Sequence, residues 1–253
     1  MPSKIAVLRT EFESTAEAIE AALSQWQPHL PPGFVPGERA VQDPDFIMRT
    51  FKEIQSLPTN SASSIIAPRR TSEEEGRIHS ILHNALAYRH SAFVYLYRTV
   101  YTYPRRHEAL QKHVHLSLVH CVATVNHAGP MGALLWPLFV AACEAIDIED
   151  RKLAEKAFAA IKERQGMMNI ERAWDIVGEV WRRADLAETS ELFEFEESST
   201  PKQSASNAAM GSDATIVDAG GNSSREACGD NDSKLTDLWR QVSRDMGVSI
   251  VFG

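Results

Sequence analysis

Leu134-Leu135-Trp136-Pro137-Leu138-Phe139-Val140-Ala141-Ala142-Cys143-Glu144-Ala145 is the most apolar run of this chain. From Met131 to Cys143 no residue is charged. A membrane-spanning helix needs roughly 20 such residues, and runs of about 10–14 are more often buried core helices. Gly132 and Pro137 interrupt the run as well. The stretch therefore reads as the central helix of a helical domain, with Glu144 at the edge of its most apolar surface. A carboxylate there is costly unless it is paired or hydrogen-bonded. Glu144 is expected to bond an arginine, Arg151 or Arg172, or the amides of a neighbouring helix start.

Downstream, Asp147-Ile148-Glu149-Asp150 restarts the helix with an aspartate cap, Leu153, Ala157, Phe158 and Ile161 face inward, and Gly166 is the left-handed stop. Asn169 caps a further helix with Ile170, Ala173, Trp174, Val177 and Trp181 on one side. From 188 to 232, Ser, Thr, Ala, Gly, Asn and acidic residues dominate. Such a segment buries too little surface to offset its ordering entropy, so it is expected to be disordered. A short helix returns at Leu235, Leu238, Trp239, Val242 and Met246, and the tail 248–252 is expected to dock in extended form.

Upstream, apolar residues at helical spacing predict helices over 4–26 (Leu8, Phe12, Ile19, Leu23 and Trp26 on one face), 45–57, 71–101 and 106–126. Thr71-Ser72 followed by three glutamates is a strong helix start. Pro28 to Gly33 and Pro58 to Arg70 read as loops. No strand pair or internal repeat is visible. The fold class is all-α, an irregular multi-helix bundle around the central apolar helix. The expected division is a lead-in over 1–70, a helical core over 71–187, the insertion over 188–232, and a C-terminal helix and tail over 233–253 that belong to the same domain.

The chain has 253 residues, 43% hydrophobic and 24% charged, which is ordinary globular composition. Its net charge of −8 is a poor match for phosphate backbones, which need clustered Lys and Arg. Pro104-Arg105-Arg106 and Arg182-Arg183 read as solvated helix ends. Cys121, Cys143 and Cys228 are widely spaced, and Met1 to Thr10 lacks the order of a secretory signal, so reduced thiols inside a cell are expected.

Candidate chemistry is sparse. His79 and His83 stand four apart on one helix, and His113, His115 and His120 lie on the next. The middle residues Ser80-Ile81-Leu82 supply no general-base glutamate, and His107-Glu108 is followed by Gln111 where a zinc protease has histidine. Exposed or locally satisfied histidines are the expectation, with no metal, cofactor or catalytic residue assigned. Glu194 and Glu196 read as solvated charge, Gly220-Gly221 as part of the insertion, and no Gly-x-Ser-x-Gly elbow or phosphate loop is present. Tyr95, Tyr97, Tyr101 and Tyr103 read as core packing rather than pocket lining.

Three pieces resemble the fungal-specific transcription factor domain of the second type, the regulatory region of fungal six-cysteine zinc-cluster regulators. They are the helix from Ala85 to Arg98; the stretch Leu135 to Ala145 followed by Arg151, Gly166, Asn169, Ala173 and Trp181; and Asp237-Leu238-Trp239-Arg240 through Met246-Gly247 to Phe252. Ala142 stands where the family usually has glycine. The resemblance makes Trp136, Pro137, Glu144, Arg151, Gly166, Asn169, Trp181, Trp239 and Arg240 family-signature structural residues. Residues 1–70 contain no cysteine, so no DNA-reading module carries over.

The resemblance implies a nuclear regulatory protein that works through protein contacts with the transcription machinery or as a homodimer, with a small-molecule effector, no specific DNA binding of its own and no membrane. Two other classes stay open. An α-helical enzyme of secondary metabolism would show buried histidines converging from the helices of His79, His83, His113 and His120. A scaffold would use the Ser-rich 188–232 segment as a phosphorylated docking tail.

Overall fold

The computed structural model describes residues 4–28, 45–57, 62–66, 73–127, 133–199 and 238–249, and every regular element among them is an α-helix. In chain order these are α1 Lys4–Gln25, α2 Phe46–Ser56, α3 Ala62–Ile66, α4 Glu73–Thr99, α5 Glu108–Asn126, α6 Leu135–Glu144, α7 Ile148–Gln165, α8 Met168–Ser199 and α9 Leu238–Asp245. No described helix is long and apolar enough to cross a membrane.

The two long helices α4 and α5 form an antiparallel hairpin. Ser80 Oγ bonds the carbonyl of Thr124, His83 faces His120, His90 faces His113 and Ser91 Oγ lies 2.7 Å from Ser117 Oγ. As residue number rises along α4, its partner's number falls along α5. The turn between them takes Thr102 into the left-handed region at φ 52°.

The apolar run from Leu134 to Ala145 becomes α6, seated across this hairpin and covered by α7, α8 and α9. Pro137 lies in its first turn, where an amide has no intrahelical acceptor and a missing N–H costs nothing. Leu134, Leu138, Phe139, Ala141 and Ala142 are at most 1% exposed. Each fully buried Leu or Phe of this kind is worth about 1.5–3 kcal/mol. Val94, Val114, Leu118, Ile161, Ile176 and Val242 complete the same core.

The caps of α7 are as expected. Asp147 accepts the Glu149 amide at 2.7 Å, and Gly166 adopts φ 57° at the C-terminus. Asn169 is not a cap, because α8 starts one residue earlier at Met168. The backbone of α8 also continues as helix to Ser199, past the expected start of the insertion at 188. The rest of that insertion, the Thr71-Ser72 cap, Cys228, most of both expected loops and the tail beyond Ser249 lie outside the described residues. Val248 packs on the main core, and Ser243 ties to it in both directions.

The face expected to bury α1 is largely open. Leu8, Phe12 and Ile19 are exposed and Ala16 is buried. The helix is held at its C-terminal end by polar contacts instead. Tyr97 and Tyr101 donate to the two oxygens of Glu20, and Arg89 donates to the carbonyls of Leu23 and Ser24. Helix α2 packs Ile47, Phe51 and Ile54 on Ile78, Leu82 and Leu86 of α4.

Candidate functional site

The C-terminus of α6 ends inside the protein, so its last carbonyls need partners that water cannot supply. Four side chains from three other parts of the chain provide them. Trp181 Nε1 donates to the Ala142 carbonyl at 2.7 Å, Arg105 to that of Cys143 at 2.9 Å and Gln111 to that of Glu144 at 3.0 Å. The Ala145 carbonyl accepts from Arg105 and from Arg151. Arg151 lies over the Trp181 ring at 5.0 Å and forks onto Asp185 at 2.8 and 2.6 Å. Two signature residues, Arg151 and Trp181, thus have a physical role as caps of the central helix. Cationic groups there also suit the negative end of the helix dipole.

Glu144 itself is buried and pairs with arginine, but with neither expected partner. Arg98 Nε is 3.1 Å and Arg105 Nε 3.4 Å from Glu144 Oε2. These atoms are at charge-contact distance without hydrogen-bond alignment. Arg98 also donates to the Tyr103 carbonyl. Arg151 is committed to Asp185, so it does not reach Glu144. Arg105, expected at a solvated helix end, is 5% exposed, because the turn after α4 folds back over α6.

Above this ion pair lies a cavity of about 350 Å³ between α4, α6 and α9. Trp136, Phe139, Val140 and Trp239 form its apolar wall, and Arg98, Glu144 and Arg240 its polar groups. Trp136 stacks on Tyr88, Trp239 meets Phe139 edge-to-face, and Arg240 lies over Trp239 while donating to the Tyr95 hydroxyl at 3.1 Å. Trp136, Glu144, Trp239 and Arg240, four of the residues expected as signature positions, line this one space. Pro137 is not among the lining residues; its carbonyl accepts from Ser91. Gly166 and Asn169 lie elsewhere, around the junction of α7 and α8. Tyr95 lines the cavity, contrary to the expectation of core packing, while Tyr97 and Tyr101 hold α1.

The histidines are less exposed than expected. His79, His83 and His120 are buried, because the faces that carry them are the ones α4 and α5 turn toward each other. His83 Nδ1 is 3.0 Å from His120 Nδ1, and His90 Nδ1 is 2.9 Å from His113 Nδ1. In each pair one ring donates and the other accepts, which requires the accepting imidazole to be neutral. Burial, then the neighbouring His113, Arg89 and Lys112, push His90 down to about 3, and burial with Lys112 and Arg89 brings His113 to about 4. Burial holds His120 well below its ordinary value too. Cys121 and Cys143 are free and buried, and burial raises both thiols.

Arg105 and Gln111 carry no helical periodicity signal, and only their packing reveals them. Arg98 stands inside the first resembling piece, where its charge amid aromatic residues is the available sign. No curated protein and no solved structure gives a significant match to the chain. The family model of the fungal specific transcription factor domain matches residues 4–253, nearly the whole chain, which therefore belongs to that family.

Proposed function

We propose that the chain is the helical regulatory domain of a nuclear transcription regulator, acting through protein partners and switched by a small effector bound between α4, α6 and α9. The observation that supports this reading is the cavity lined by Trp136, Glu144, Trp239 and Arg240 together with Phe139, Val140 and Arg98. Its apolar body and its excess of arginine over glutamate suit an amphipathic molecule with an anionic group. Exposed Ile5, Leu8 and Phe12 on α1 offer an apolar surface for a protein partner or a second copy. The reading assigns this chain no specific DNA binding of its own, which its net charge of −8 supports.

The test has two arms. Tethered to a heterologous DNA-binding domain in a fungal host, the chain should change reporter output, and an inert fusion would overturn the regulator reading. A screen of amphipathic carboxylates by thermal shift should find ligands whose effect disappears in Val140→Trp, which fills the cavity from its half-buried rim. Ligands that shift the wild type and the filled variant equally would remove the cavity from the proposal. A nanomolar site-specific DNA complex at physiological salt would contradict the DNA claim.

The converging histidines favour a second reading, an α-helical enzyme. His83 and His120 are 2% and 4% exposed, which leaves a substrate little access, so this reading stands second. Loss of reporter output in a folded His113→Gln variant would move it first.

A further inference from the structure

A separate feature sits at the other end of the α4–α5 hairpin. His79 and His83 lie one turn apart on α4, and His127 is the residue that closes the C-terminus of α5. The antiparallel pairing brings that terminus beside the first half of α4. The rings of His79 and His127 are 5.5 Å apart, those of His83 and His127 5.9 Å, and those of His79 and His83 6.3 Å. One nitrogen from each ring lies within 4.8 Å of the others.

We infer that His79, His83 and His127 form a binding site for a divalent transition-metal ion of the zinc class, clamping the end of α5 to α4. Three imidazoles with no thiolate or carboxylate suit Zn²⁺, Co²⁺, Ni²⁺ or Cu²⁺ and not Mg²⁺ or Ca²⁺. Tetrahedral zinc with Zn–N near 2.1 Å places its ligands about 3.3 Å apart. Metal binding requires the three nitrogens to close from their present separation, within 4.8 Å, to that value. The backbone is already held: the His127 amide bonds the Ala123 carbonyl at 3.1 Å, and Ser80 bonds the Thr124 carbonyl.

The surroundings match what a metal ligand needs beyond its own nitrogen. His83 Nδ1 lies 3.0 Å from His120 Nδ1, which fixes the ring's orientation. Ligating histidines are held in this way by a partner on the second nitrogen. The C-terminal end of α5 adds a partial negative charge, which suits a cation. His127 is half-buried, so the ion has an approach from solvent and a fourth position for water or an incoming group. Part of this was visible in the sequence as the His79–His83 spacing. The third ligand, 44 residues further on, was not. The site is made only of nitrogen and is distinct from the thiolate cluster of the wider family.

The experiment uses the full chain without a histidine tag, stripped with a chelator and titrated with ZnCl2 by calorimetry and with CoCl2 by visible absorption. One equivalent should bind saturably, with a tetrahedral or five-coordinate cobalt spectrum, and should raise the melting temperature. His127→Asn changes a half-buried position and should fold; its affinity should fall at least about tenfold. His83→Gln and His79→Gln should do the same, whereas His107→Gln, outside the cluster, should bind as the wild type does. No saturable binding, or equal binding by folded His127→Asn, would overturn the proposal. Binding that is lost in His107→Gln but kept in the cluster variants would overturn it as well.

Discussion

Arg98 Nε and Glu144 Oε2 stand 3.1 Å apart with both side chains almost fully withdrawn from water, and Arg105 approaches the same oxygen from the other side at 3.4 Å. Two cations therefore share one buried anion at the end of the most apolar helix. Glu144→Ala removes the carboxylate that both guanidinium groups contact. Removing one partner of a buried pair costs roughly 3–5 kcal/mol. Urea unfolding should show a loss of that size, and a variant as stable as the wild type would refute the role assigned to Glu144.

Trp181→Phe keeps a ring on α8 but removes the donor to the Ala142 carbonyl. That carbonyl keeps the Ala145 amide at 3.2 Å, so the loss is one hydrogen bond, about 0.5–1.5 kcal/mol, together with the packing of the larger indole ring. Asp185→Ala, by contrast, removes an exposed partner of Arg151, and exposed pairs are worth about 0–1 kcal/mol. Measured side by side by denaturant unfolding, Trp181→Phe should be the more damaging. The opposite order would mean that the Arg151–Asp185 fork, not the Trp181 cap, secures the helix end.

His90 and His113 make the protein acid-sensitive. Both are held below their ordinary value when folded, at about 3 and about 4, so the unfolded chain takes up protons first as pH falls. Their contribution is intact above about pH 6.5 and is lost progressively from there toward pH 4. At pH 5 either site alone costs about 2 kcal/mol relative to pH 7. The double variant His90→Gln, His113→Gln should lose about half as much stability or less over that interval. An unchanged loss would place the acid sensitivity elsewhere.

Gly166 has a left-handed backbone and open space where a Cβ would project. Gly166→Ala should therefore cost only the conformational strain, about 1 kcal/mol. A much larger drop in thermal stability would show a packing role that the structure does not contain.

The helices of the core and the burial of the central run were legible because a repeat of 3.6 residues is written locally, in neighbours three and four apart. The Asp147 and Gly166 caps were legible for the same reason, since both lie within a turn of the groups they serve. The end of α8 at Ser199 was not legible, because the composition after 188 reports how little apolar surface there is and not where helical backbone stops. The apolar face of α1 was read correctly as a pattern, yet the pattern does not say whether anything packs on it.

The sequence by itself determined that the protein is all-helical, that Leu134 to Glu144 lies at its centre, and that a carboxylate there needs a partner, an arginine or helix-start amides. Only the tertiary structure decided which arginines, which side chains close the carbonyls of α6, and that three histidines from two helix ends meet. The physical reason is range. Helix formation and capping act over a few residues, whereas Arg98 with Glu144 and His79 with His127 are joined across more than 40 positions by the way whole helices pack, and no local spacing encodes that distance.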